Sequence, residues 1–167
     1  MGQREGVWAQ RRLVLATIIA LFSAAGGAVW FAWHSRSGLA PDTINPGDPV
    51  QVALGRRVYA DQCAQCHGTK LEGQPNWRSR RPDGRLPAPP HDVSGHTWHH
   101  GDAVLFRITR EGISAVVGGG YESDMPGFRG VLSDAEIRAA LAFIKSTWPD
   151  RERGLQERQS HFERQPP

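Results

Sequence analysis

The chain has 167 residues, which is enough for one ordinary domain and an appendage. Its formal net charge is +3, but residues 47–149 hold twelve Lys or Arg against eleven Asp or Glu, so no nucleic-acid-binding surface is indicated. The two cysteines stand three positions apart, which excludes a disulfide framework and leaves a local disulfide, a metal site or attachment of a prosthetic group.

Residues 13–33 form an apolar run without a single charged side chain. As an α-helix this run would span about 31 Å, against a bilayer hydrocarbon core of about 30 Å. Two arginines precede the run and three aromatic residues crowd its end, as is typical of membrane interfaces. We therefore expect a transmembrane anchor at residues 13–33, with residues 1–12 in the cytoplasm and the rest of the chain outside.

A cleaved signal peptide, processed at residues 23–25, is the main alternative for the same segment. The apolar run continues eight residues past Ala25, which is longer than signal peptides usually allow. A buried core helix is a third alternative, but the run has no polar face. An anchor and a signal peptide both export the remaining chain.

The next segment is a predicted tether at residues 34–47, rich in Ser, Gly, Pro and Asp. Asp48 followed by Pro49 is typical of a helix start, and the pattern predicts a helix over residues 49–60. Residues 68–101 are broken by Pro and Gly and predict a long structured loop. Such loops are uncommon in compact domains unless they serve a function, such as wrapping a cofactor.

Two further helices and a tail complete the pattern. Asp102 is the expected cap of a helix over residues 103–110, and residues 133–136 form a capping box that opens a helix over residues 134–147. The tail at residues 150–167 alternates charges and predicts a solvated helix or a disordered segment. Because no strand pattern is present, the predicted fold class is all-α.

The segment C-A-Q-C-H at residues 63–67 carries the chemistry. In a C-x-x-C-H segment the two thiols add to the two vinyl groups of haem, and the following histidine supplies a nitrogen to the iron. We therefore expect one covalently bound haem c, with Cys63 and Cys66 as the attachment points and His67 as an axial ligand. The alternatives are a thioredoxin-like redox pair, which normally belongs to a βαβ unit, and a zinc or other metal site.

A low-spin electron carrier needs a sixth iron ligand, for which a thioether or an imidazole is suitable. Met125 is the only methionine apart from the initiator. It stands between Asp124 and Pro126 in a loop before the last predicted helix, so we expect Met125 to be the second axial ligand.

The rival ligands are four histidines between residues 91 and 100. We expect His91, His96, His99 and His100 to hydrogen-bond a haem propionate or to cap the following helix, with an auxiliary metal site or axial ligation as alternatives. Trp98 is expected to pack near the haem edge or a propionate, or to fill the core.

These features resemble the class I cytochromes c, over about residues 49–148. The resemblance implies a small helical fold around haem, in which Gly55 and Tyr59 of the first helix pack against Phe143 of the last. It also implies that a proline carbonyl accepts a hydrogen bond from the haem-ligating imidazole. Pro87, Pro89 and Pro90 are the candidates, and Pro89 is favoured.

The combined pattern is similar to bacterial membrane-tethered cytochromes that deliver electrons to terminal oxidases. This resemblance implies a cytochrome c domain at residues 48–149 on the periplasmic side of the inner membrane. We expect a one-electron carrier with a terminal oxidase or a quinol-oxidising complex as partner, and neither an enzyme by itself nor a binder of nucleic acid or small substrates. The alternatives are a haem subunit of a larger respiratory complex and a thiol-redox or metal-handling protein.

Overall fold

The computed structural model describes residues 43–164. These residues form helices and loops, and their only extended pairing is an isolated bridge between Arg129 and Leu132. The all-α prediction is therefore confirmed for this part of the chain. The helices are α1 Pro49–Gln62, α2 Ala64–His67, α3 Asp102–Glu111, α4 Ile113–Val117, α5 Asp134–Ser146 and α6 Asp150–Arg164, with a 3-10 turn at Thr97–His99.

The predicted cytoplasmic segment at residues 1–12 and the predicted anchor at residues 13–33 lie outside the described residues, as does the tether up to residue 42. Between residues 43 and 164, no helix is both long enough and apolar enough to cross a membrane.

The end of the predicted tether packs on the domain. Ile44 is buried in one hydrophobic cluster with Leu105 and Ile137. The Gln51 side chain accepts a hydrogen bond from the Asn45 N–H at 2.7 Å and donates to the Thr43 carbonyl at 3.0 Å. The folded unit therefore includes residues that precede the first helix.

Two of the three predicted helix caps are confirmed. The Asp48 carboxylate accepts from the backbone N–H of Val50 at 2.9 Å and of Gln51 at 3.4 Å. Ser133 and Glu136 form the reciprocal capping box of α5, in which the Ser133 N–H donates to the Glu136 carboxylate at 2.8 Å.

The third predicted cap, Asp102, is wrong. The N-cap of α3 is Gly101, and Asp102 is the first helical residue. Its carboxylate instead accepts from the ammonium of Lys145 at 2.7 Å and from Gln156 Nε2 at 2.8 Å. The side chain points away from its own helix because the buried Lys145 needs a negatively charged partner.

The crossing of α1 and α5 organises the helical core. A Cβ atom at Gly55 would lie 1.8 Å from the backbone oxygen of Ala139 and 2.9 Å from Cβ of Phe143. The rings of Tyr59 and Phe143 meet beside this point, with centroids 5.4 Å apart. The packing expected of Gly55, Tyr59 and Phe143 is therefore confirmed.

Two hydrophobic clusters lie on either side of this crossing. One contains Phe128 and Leu141, and the other contains Leu71 and Trp148. Apolar side chains at i, i+4, i+7 and i+11 spacing along α5 and just past its end are buried. They are Ile137, Leu141, Ile144 and, just past the helix end, Trp148.

The charged tail forms α6, which has a buried polar face rather than being wholly solvated. Glu152, Gln156 and Ser160 are buried at four-residue spacing. Ser160 Oγ accepts from the Asp102 N–H at 2.9 Å, and the Glu163 carboxylate accepts from the Gly101 N–H at 2.9 Å. The tail thus supplies the hydrogen-bond acceptors that the first turn of α3 needs.

Substitution of Gly55 by valine should destabilise the domain by about 3 kcal/mol, because the new side chain would overlap backbone atoms of α5 that cannot move independently. Chemical denaturation of the purified protein measures the change. Gly154→Ala is the matched control, since its Cβ would meet only Arg158 Nη1 at 3.7 Å and the change should stabilise α6 by up to about 1 kcal/mol. Equal losses in both variants would contradict the close crossing.

Substitution of Gln156 by alanine should lower the free energy of unfolding by about 1–3 kcal/mol, because buried acceptors on His100 and Asp102 lose a donor. Gln159→Ala removes the same side chain from an exposed position of the same helix and should change stability by less than about 0.5 kcal/mol. An unaffected Gln156→Ala variant would mean that α6 does not pack on α3 in solution.

Candidate haem site

The C-x-x-C-H segment lies on a single helical turn directly after α1. The N–H groups of Cys66 and His67 donate to the Cys63 carbonyl at 3.1 and 2.9 Å. This turn brings the two sulfur-bearing side chains and the imidazole to neighbouring positions of one short helix. Both thiols are unpaired, Cys63 partly buried and Cys66 exposed.

The pKa of the Cys63 thiol bears on whether Cys63 and Cys66 could act as a thiol-redox pair. Burial, with a smaller effect of Cys66 beside it, raises the pKa of Cys63 to about 11. A thiol-redox pair requires a nucleophilic thiolate, and its reactive cysteine normally has a lowered pKa. The environment of Cys63 therefore disfavours a thioredoxin-like function.

His67 is held in an orientation suited to metal binding. Its ring is 7% exposed, and Nδ1 lies 2.9 Å from the carbonyl oxygen of Pro89. Because a carbonyl only accepts, Nδ1 carries the hydrogen and Nε2 keeps a free lone pair. Burial lowers the pKa of His67, and the bond to Pro89 opposes this only in part, so the ring is kept neutral. Pro89, and neither Pro87 nor Pro90, makes this contact.

His91 lies against the ring of His67, a contact that sequence reasoning did not foresee. The two imidazoles stack with centroids 4.0 Å apart and planes 22° apart. His91 Nδ1 and Thr97 Oγ1 share a hydrogen bond at 2.8 Å, and the His91 carbonyl accepts from the Trp148 indole at 2.7 Å. Burial, with smaller effects of His67 and His96, holds the pKa of His91 well below its usual range.

Met125 lies half-buried in a loop that is fixed on both sides. Its N–H donates to Ser123 Oγ at 3.1 Å. Beyond it, the N–H of Phe128 donates to the Thr109 carbonyl at 3.0 Å, which ties the loop to the end of α3. Before it, the Asp124 carboxylate binds two arginines of the loop that follows the cysteine segment.

His96, His99 and His100 make ring contacts with Trp77, with Trp98 and with one another. His96 stacks on Trp77 with centroids 5.4 Å apart, and its ring also meets His100 at 5.5 Å. The His99 ring lies 3.8 Å from that of Trp98. Within residues 43–164, no group of three His, Cys, Asp or Glu side chains is placed to hold a metal ion, so the auxiliary-metal alternative has no support here.

Trp98 packs partly against the cluster that contains Tyr59 and Trp148. Its indole N–H is buried and has no hydrogen-bond partner in the described part of the chain. A buried donor of this kind normally requires an acceptor, which a haem propionate would provide. The core packing expected of Trp98 is therefore confirmed, and its expected position near the haem edge or a propionate stays a prediction.

The residues present fit haem c. They offer two unpaired thiols and a neutral imidazole with a free nitrogen on one turn, and a buried donor without an acceptor. This donor set matches a covalently attached porphyrin with one histidine on its iron.

Comparison with known proteins gives one family. The family described as cytochrome c oxidase, cbb3-type, subunit III, matches residues 50–144, which is more than half of the chain. No solved structure matches.

Proposed function

Because this chain belongs to the family of cytochrome c oxidase, cbb3-type, subunit III, we propose that it transfers single electrons through a haem c held by Cys63 and Cys66. Family membership implies haem c electron transfer, and the ligand assignment is our own. The main support for His67 as an iron ligand is the 2.9 Å hydrogen bond from its Nδ1 to the Pro89 carbonyl. This bond orients the ring and leaves Nε2 for iron.

When bound, haem c supplies a one-electron couple between ferric and ferrous iron. Cys63 and Cys66 would hold the group covalently, and His67 and Met125 would supply a nitrogen and a sulfur to its iron. With both His67 and Met125 as ligands, no open position would remain on the iron for a substrate, so the function proposed is electron transfer rather than catalysis.

The surroundings of His67 favour the ferrous state. A thioether ligand raises the potential relative to a second histidine. The buried, neutral His67 and His91 also add no charge to the proximal side. A low-dielectric pocket disfavours the additional positive charge of ferric iron, so we propose a positive midpoint potential.

The Met125→Ala variant should lose the weak absorption band at the red end of the spectrum that reports sulfur ligation of ferric iron, and its midpoint potential should fall. The pyridine haemochrome spectrum should still show haem c, because the thioether bonds to Cys63 and Cys66 remain. Val131→Ala, an exposed apolar residue between Met125 and α5, is the control and should keep the band. Survival of the band in Met125→Ala would refute the ligand assignment, and absence of c-type haem in the natural protein would refute the function.

A second candidate is a haem-bearing subunit of a terminal oxidase, which the description of the matching family favours. In both candidates we propose that residues 13–33 anchor the chain in the bacterial inner membrane, with the haem domain on the periplasmic side. A tethered domain meets membrane partners at a high effective concentration, so a small, transient contact is sufficient for a free carrier. The partner is then a terminal oxidase or a quinol-oxidising complex.

Affinity purification of the full chain after mild detergent extraction separates the two candidates. A subunit should co-purify with oxidase polypeptides and their haem in a fixed ratio that survives washing with salt. A free carrier should elute alone. When a purified terminal oxidase is then added to the reduced carrier, it should oxidise the carrier at a rate that depends on ionic strength.

A further inference from the structure

The segment between the haem-binding turn and Pro89 is a closed loop, here named the arginine loop, residues 74–88. At its base, the Gln74 N–H donates to the Ala88 carbonyl at 2.9 Å, and the Ala88 N–H donates to Gln74 Oε1 at 2.9 Å. At its tip, the Arg81 N–H donates to the Arg85 carbonyl at 2.9 Å. These bonds give the loop a defined shape, which allows its side chains to act at fixed positions.

The tip of the arginine loop binds the segment that carries Met125. Arg85 Nη1 donates to Asp124 Oδ1 at 2.7 Å, and Arg81 Nη2 donates to the other oxygen, Oδ2. Arg85 also lies 3.4 Å from the Glu122 carboxylate. Each oxygen of Asp124 thus has its own guanidinium, and the two segments are about forty positions apart in the chain.

A fourth contact supports the same docking. The guanidinium of Arg80 lies 5.8 Å from the centroid of the Tyr121 ring, within the range of a cation–π interaction. Four contacts to Tyr121, Glu122 and Asp124 therefore come from one loop tip, which is more than a single surface ion pair would provide.

We propose that the pairing of Arg81 and Arg85 with Asp124 is a latch that positions Met125. This inference rests on the proposed function, since it assumes that Met125 binds the iron. An external ligand would reach the iron only when the methionine moved away, and that movement would draw Asp124, its chain neighbour, from its arginines. The arginine loop also leads directly into Pro89, whose carbonyl orients His67, so one segment acts on both axial ligands.

The exposure of the latch decides how large its effect is. The side chains of Arg81, Arg85 and Asp124 are 37%, 39% and 45% exposed. Each exposed ion pair of this kind changes an equilibrium constant by about 1.5- to 5-fold. The latch therefore adjusts the equilibrium between bound and released methionine, while the covalent loop connections keep the methionine nearby.

The test is a titration of the ferric full-length protein with imidazole. Loss of the weak absorption band at the red end of the spectrum reports binding and gives the affinity. Asp124→Asn and the double variant Arg81→Gln/Arg85→Gln should each bind imidazole about three- to tenfold more tightly than the natural protein. Combining all three substitutions should add little, because all three remove the same interaction. In about 1 M salt, where charges are screened over about 3 Å, the natural protein should approach the variants.

Arg78→Gln is the matched control, because it removes a positive charge from the same loop without touching Asp124. The Arg78 guanidinium lies 4.0 Å from the centroid of the Trp77 ring, and Nη2 donates to the Ser94 carbonyl at 3.3 Å. Its imidazole affinity should equal that of the natural protein. If it changes as much as in the double variant, net charge is responsible and the latch is refuted.

Two other results are decisive. If both latch variants keep the red band and the natural imidazole affinity, the latch is refuted while Met125 remains the ligand. If the natural protein has no red band, the ligand assignment itself fails, and the latch fails with it. Circular dichroism of each variant shows whether the helices are retained, and the double variant gives an independent reading if Asp124→Asn does not fold.

Discussion

The backbones of α1 and α5 meet at Gly55, where no side chain separates them. A carbonyl of α5 occupies the space that a Cβ atom would fill. This approach brings Tyr59 against Phe143 and fixes the direction in which α1 ends. Because the cysteine segment begins at the residue after α1, the position of the haem-binding turn follows from a contact two helical turns earlier. The same contact places α5 so that Trp148, just past its end, donates to the carbonyl of His91.

Backbone carbonyls and neutral rings surround His67. His67 contacts the Pro89 carbonyl on one side and the stacked ring of His91 on another, and Tyr59 anchors the same region by donating to the Gly68 carbonyl at 2.8 Å. None of these groups carries a charge at neutral pH. The charged groups lie instead on the outer loops, where Arg81, Arg85 and Asp124 pair in contact with solvent. This separation of neutral groups around His67 from charged groups on the outer loops suits a group that changes its charge by one unit.

Patterns within one or two helical turns of sequence predicted the main helices. They could not predict polar contacts between residues that are far apart in the chain. The caps at Asp48 and Ser133 and the apolar spacing of α5 follow from residues within one or two turns of each other. The role of Asp102 does not, because its partners Lys145 and Gln156 lie more than forty positions away. The buried face of α6 is polar, so no hydrophobic periodicity in the sequence predicts that it is buried. Two contacts of His67 illustrate the difference. Its hydrogen bond to Pro89 was expected only from the family resemblance, and no sequence pattern predicted its stacking on His91.

The contact at Gly55 also joins two parts of the chain that are far apart in sequence. Gly55 and Ala139 are about eighty positions apart, and closing a loop of that length costs about 4 kcal/mol in chain entropy. An isolated helix as short as α1 is marginal in water, so α1 gains most of its stability only after α5 has been synthesised. Until then the two thiols that follow α1 remain accessible on an open chain. Attachment of haem at that stage would meet Cys63 before it becomes partly buried, whereas Cys66 is exposed in the folded domain as well.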